Sequence, residues 1–115
     1  MLSILNTDEL FKNAVQEDLY QNLIKQLNKD FRLANLNESL VLTSTPVQLK
    51  ETLSVILLKL LTNNYDDYLN LMYRIDVSEK ELATLNTKNL ETTINQITFL
   101  ILKREYQKVW FRNKF

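Results

Sequence analysis

The sequence predicts an all-α fold, with four main helices and one short one packed as a compact bundle or an orthogonal array. Three observations carry this. The 115 residues contain no Gly and a single Pro, Pro46, so little in the backbone chemistry interrupts a helix. Helix-start signals stand at Asn6, Thr45 and Ser78. No segment alternates apolar and polar residues with period two for long enough to read as a strand. Residues 1–115 are read as one domain, long enough to bury a single core without metals or disulfides. With 45% hydrophobic and 24% charged residues, the composition is that of a folded chain and not a disordered one.

The first helix opens at Leu5-Asn6-Thr7-Asp8-Glu9-Leu10. There Asn6 is placed to cap, Glu9 is its box partner, and Leu5 can staple to Leu10. Leu10, Ala14, Leu19, Leu23, Leu27 and Phe31 recur near helical spacing, widened by Tyr20 and Ile24. The pattern predicts one long helix to about Leu33. A slip of the stripe between Ala14 and Leu19 marks Asn13 to Glu17 as the place where it would break. Ala34 to Thr45 is irregular, with Asn35, Asn37 and Thr43-Ser44-Thr45 as loop formers. Within it, Leu40-Val41-Leu42 is expected to cross over and close one end of the core. A binding loop there would lack polar chemistry.

Thr45-Pro46-Val47-Gln48 joins a capping Thr, Pro at the first helical position and a Gln box partner. Leu49, Leu53, Ile56, Leu57, Leu60 and Leu61 form the stripe of this second helix, which should end near Thr62-Asn63. Val55 and Leu58 fall outside that stripe, so the helix is expected to meet neighbours on more than one side. Asn64 is read as the cap of a third helix, with Asp66 and Asp67 favoured in its first turn by the helix dipole. Tyr65, Tyr68, Leu69 and Met72 line one face, and Arg74 lies near its end around Ile75-Asp76. Val77-Ser78-Glu79-Lys80-Glu81-Leu82 carries a cap at Ser78, a box at Glu81 and a staple from Val77 to Leu82. This starts the short helix. A staple from Leu85 to Leu90 around a capping Asn86 opens the last helix, about seven turns long. Its centre, Ile97-Thr98-Phe99-Leu100-Ile101-Leu102, is apolar on every side, so the other helices should sheathe it. The helix begun at Pro46 is its expected core partner. Without Gly, left-handed backbone should fall to Asn, with Asn35, Asn37, Asn63, Asn64 and Asn86 as the candidates.

Charge and composition narrow the function. Fourteen basic and fourteen acidic residues cancel, so no global field attracts nucleic acid or an anionic membrane. The chain has no His and no Cys, which removes zinc and thiolate constellations, thiol catalysis and disulfides. Without Gly, neither a phosphate-cradling loop nor a dinucleotide fingerprint is available. Asp66 and Asp67 are adjacent and diverge by about 100° on a helix, so they do not converge on one substrate atom. No catalytic residue, metal ligand or cofactor is therefore predicted. Uncharged runs stop at about eleven residues, short of the ~20 that span a bilayer. The first residues lack a basic, apolar leader. A cytoplasmic protein is expected.

Two local features remain. Glu105 shares a helical face with Ile94, Ile101 and Val109. Either it reaches the solvated rim, which is the expected reading, or it forms a partly buried structural ion pair with Arg74 or a neighbouring Lys. The second feature is the C-terminal basic-aromatic surface of Arg104, Lys108, Trp110, Phe111 and Arg112, continued by Lys114 and Phe115. Its aromatics are expected to anchor the helix end and its cations to solvate the outer face. The same residues could form a surface for a protein partner or for self-association. Nucleic acid or anionic lipid ranks below that. At Tyr73-Arg74-Ile75-Asp76-Val77-Ser78, and from Leu100 through Phe111, the chain resembles a group of short bacterial helical proteins with no assigned role; the resemblance implies no site. The expectation is a non-enzymatic protein-interaction module. The alternative is a nucleic-acid or anionic-lipid binder acting through the C-terminal helix.

Overall fold

The computed structural model describes residues 3–115. Six helices follow one another: α1 (Thr7–Gln16), α2 (Tyr20–Leu33), α3 (Pro46–Asn63), α4 (Tyr65–Ile75), α5 (Glu79–Leu82) and α6 (Leu90–Lys114). No strand occurs among the described residues. The fold is all-α, with five main helices in place of four, because the expected first helix is divided into α1 and α2.

One device makes that division and two other helix ends. Asp18 sits in the left-handed region (φ 57°). Its N–H donates to Val15 O at 3.1 Å, and the next N–H, that of Leu19, donates to Ala14 O at 2.8 Å. This pair of bonds is the Schellman closure of a helix C-terminus, whose left-handed position usually belongs to Gly. Asn35 (φ 60°) closes α2 with the bonds Asn35 N–H to Arg32 O and Leu36 N–H to Phe31 O. Asp76 (φ 69°) closes α4 with Asp76 N–H to Tyr73 O and Val77 N–H to Met72 O. Of the five Asn candidates only Asn35 takes a left-handed conformation. Two Asp residues take the others, since a short polar side chain tolerates that region better than a bulky one.

The N-terminal signals are realised to different degrees. Asn6 accepts from Glu9 N–H at 2.9 Å. Thr45 and Gln48 form the complete reciprocal box, at 2.9 and 3.2 Å. Ser78 accepts from Glu81 N–H at 3.4 Å, but the Glu81 carboxylate turns to Lys103 at 3.2 Å and leaves that box open. Asn64 precedes α4 without a side-chain cap. The cap of α6 is Asn89, accepting from Thr92 N–H at 3.0 Å. Asn86 instead accepts from Lys88 N–H in the preceding turn.

Buried residues of α1, α2, α3, α4 and α6 belong to one apolar cluster. Helix α6 packs against α1, α2, α3 and α4, as its apolar circumference requires. Helix α2 meets it as extensively as α3 does, so the core is organised around α6 and not around one helix pair. Of Leu40-Val41-Leu42, only Leu40 enters the core. The Asn28 side chain brackets its backbone, donating to Leu40 O at 2.9 Å and accepting from Leu40 N–H at 2.7 Å. Val41 and Leu42 are exposed. The radius of gyration of 13.4 Å equals the ~13 Å of a close-packed chain of this length. Among the described residues no helix is long and apolar enough to cross a membrane.

Candidate functional site

The C-terminal surface is divided among several neighbours. Arg104 reaches Asp76 at 3.3 Å in the turn after α4. Lys108 turns inward to α2, 2.9 Å from Asp30 and 3.0 Å from Glu105. Lys114 pairs with Glu17 at 3.6 Å and lies over the Trp110 ring. Arg112 alone of these cations has no carboxylate partner among the described residues; its Nη2 donates to Gln26 Oε1 at 2.9 Å. Trp110 packs partly buried against the core, whereas Phe111 is exposed and stacks on Phe115. The aromatic anchor is thus Trp110 and not Phe111. The expected outer cationic face is largely neutralised.

Glu105 is fully buried, so it does not reach a solvated rim. Its neighbour is Lys108, one turn on, and Arg74 makes no ion pair with it. Arg74 lies exposed on α4. Burial, then the hydrogen bond and charge of Asp30, push the Glu105 carboxyl up to about 9, against the opposing pull of Lys108. At neutral pH it is therefore protonated. Neither of its oxygens accepts a well-aligned hydrogen bond; the proton gives it a donor, and Asp30 is the acceptor beside it. Burial alone would raise the Asp30 carboxyl as well. Hydrogen bonds from Glu105, Lys108 and Gln26 outweigh it and hold Asp30 below the usual carboxylate range. Gln26 Nε2 donates to Asp30 Oδ2 at 3.1 Å. Between α2 and α6 this leaves one carboxylate, one ammonium and one neutral carboxyl in mutual contact and largely shielded from solvent.

A larger open feature lies toward the N-terminal end of α6. Val55 and Leu58, which fall outside the core stripe of α3, meet no covering helix. They are 58% and 40% exposed, with Val47 at 66% and Leu90 of α6 at 52%. Together they line a trough. One part, of about 650 Å³, runs from Asp8 and Phe11 of α1 past Val47 and Glu51 to Val55. The other, of about 300 Å³, continues between Leu58, Leu90 and Ile94. Ser54, Val55 and Asn95 border both. The floor is held by the hydroxyl pair Ser54 and Thr98 at 3.3 Å, with Thr98 also donating to Ile94 O. From Val47 to Leu58 the row extends about three helical turns. Its rim carries Asp8, Glu51 and Glu91 against the single Lys50.

Sequence reasoning expected neighbours against Val55 and Leu58, which are exposed instead; the signal was the second apolar row on α3, and what covers it could not be read locally. Among the described residues no group of three or more acidic, His or Cys side chains converges as a metal site. No protein-family model, curated protein or solved structure matches the chain.

Proposed function

We propose that the chain is a non-enzymatic protein-interaction module that receives an amphipathic helix of another protein in the trough between α3 and α6. The observation that carries this is the exposed apolar row Val47, Val55, Leu58 and Leu90. It forms a concave surface long enough for anchors at i, i+3/i+4 and i+7 of a docked helix. Contiguous exposed apolar surface on a monomer marks such contacts more often than isolated residues do. The acidic excess on the rim favours a partner helix flanked by Lys or Arg. Binding through the C-terminal cations, the alternative, is weakened because Arg104, Lys108 and Lys114 already face carboxylates.

A designed helical peptide with a Leu stripe and Lys flanks is the probe. Methyl resonances of Val47, Val55, Leu58 and Leu90 should shift on its addition, and a Glu-flanked version should bind more weakly. Val55→Asp should abolish the shifts while leaving the helical spectrum and thermal midpoint nearly unchanged, since exposed substitutions usually fall within about ±0.5 kcal/mol. Shifts scattered away from the trough, or equal binding by Val55→Asp, would remove the reading. Mass rising with concentration and lost in Val55→Asp would make a second copy the occupant.

A further inference from the structure

We propose a second, independent site: the cleft between α2 and the C-terminal end of α6 binds a compact small ligand carrying two or more phosphate groups. It is a half-open cleft of about 510 Å³ and shares no lining residue with the trough. That volume lies within the ~300–1,000 Å³ of small-molecule sites. Lys25, Lys29 and Arg32 line it from α2 and Arg112 from α6, with Asn22 and Asn113 adding neutral hydrogen-bonding groups. No carboxylate lines the cleft, and none of these four cations is in an ion pair among the described residues. In a chain with zero net charge, four uncompensated cations around one concavity form a local positive field that only an outside anion can neutralise.

The wall behind the cleft preserves that field. Arg112 does not reach Asp30. The Gln26 amide stands between them, accepting from Arg112 at 2.9 Å and donating to Asp30 at 3.1 Å. The amide therefore orients the guanidinium without neutralising it and leaves its other N–H donors for a ligand. The Asp30 charge is met by Lys108 at 2.9 Å, so the buried pair adds little negative potential beneath the site.

The geometry also selects the size of the anion. Lys25, Lys29 and Arg32 stand at i, i+4 and i+7 on one face of α2, about 10 Å along its axis. Arg112 faces them from the opposite wall. A single phosphate meets only part of this set, whereas a di- or triphosphate meets donors from both helices. No aromatic ring lines the cleft, so a nucleic-acid strand would lack the stacking platform that such binding uses.

Isothermal titration of the full chain with sodium tripolyphosphate, at low salt, tests the assignment. One equivalent should bind, about tenfold or more tighter than inorganic phosphate, because only the longer anion engages both walls. Lys29→Gln, Arg32→Gln and Arg112→Gln should each weaken binding several-fold. Lys80→Gln and Lys88→Gln, far along the sequence on α5 and the following turn, should leave it unchanged. No tripolyphosphate binding, or equal loss in Lys80→Gln, would overturn the proposal. So would an oligothymidylate or phosphatidylserine vesicles binding more tightly than tripolyphosphate, which would make the site a surface for a polymer or a membrane.

Discussion

Glu105 has no exposed surface, and its neutral form is what fits there. Unfolded, it titrates near its ordinary 4.5; folded, it is pushed up to about 9. Between those values the folded state keeps a proton that the unfolded state has released. The stability this group contributes is thus full below about 4.5 and is lost as pH rises toward about 9. Asp30 works in the opposite sense. Its folded value is lowered, so its contribution is present above the ordinary 3.8 and is lost as pH falls below that. The urea midpoint should therefore fall steadily from about pH 5 to about pH 9. Glu105→Gln keeps the shape and the neutrality, so it should flatten this slope and resemble the parent at the acidic end. A slope that survives the substitution would mean that Glu105 is ionised in the folded protein.

Three helices, α1, α2 and α4, stop where a left-handed Asp or Asn is followed by an apolar residue: Asp18-Leu19, Asn35-Leu36 and Asp76-Val77. Leu19 and Val77 are buried and Leu36 packs against the core, so each closure is fixed by a hydrophobic contact as well as by its two hydrogen bonds. A left-handed conformation costs an ordinary L-residue about 1–2 kcal/mol. Asp18→Val should consequently lower stability by about that amount, and Asp18→Gly should leave it unchanged or raise it. Equal loss from both, read from denaturant midpoints, would show that the Asp18 side chain and not its backbone angle makes the break. This closure also explains how much of the fold was legible. Start signals that place a specific oxygen near a specific N–H were readable at Asn6, Thr45 and Ser78. The stops at Leu33, Asn63 and Ile75 were legible as well; the device that closes α1, α2 and α4 was not, because without Gly the usual marker is missing and Asp18 and Asp76 look like ordinary surface acids. The start of α6 was misplaced by one turn for a related reason: Asn86 and Asn89 both offer the capping group, and only tertiary packing chooses between them.

At the scale of the whole molecule, α6 is pinned by side-chain bonds to four helices: Thr98 to Ser54 of α3, Lys103 to Glu81 of α5, Tyr106 to Asn13 of α1 and Lys108 to Asp30 of α2. Its central place was readable from its apolar circumference. The two concavities proposed as sites were not, because each joins residues remote in sequence: Val55 with Leu90 in the trough, Arg32 with Arg112 in the cleft. Glu105 was misjudged for the same reason, since its environment depends on α2. The end of α6 offers a measurement of how such packing is balanced. Trp110 lies against the core, yet its buried Nε1–H has no hydrogen-bond partner. Truncating a large buried aromatic usually costs about 3–5 kcal/mol, but an unsatisfied buried donor costs about 1–3 kcal/mol while it is present. Trp110→Ala removes both, so its net loss should fall below the usual range, at about 1–3 kcal/mol. Trp110→Phe keeps a ring in place and drops the N–H, so it should match or exceed the parent in stability. Phe111 is 42% exposed, and Phe111→Ala should cost less than Trp110→Ala. Denaturant midpoints at constant slope decide this ordering. A Trp110→Phe variant as unstable as Trp110→Ala would show that the indole N–H is satisfied in solution and that Trp110 holds the helix end by that bond.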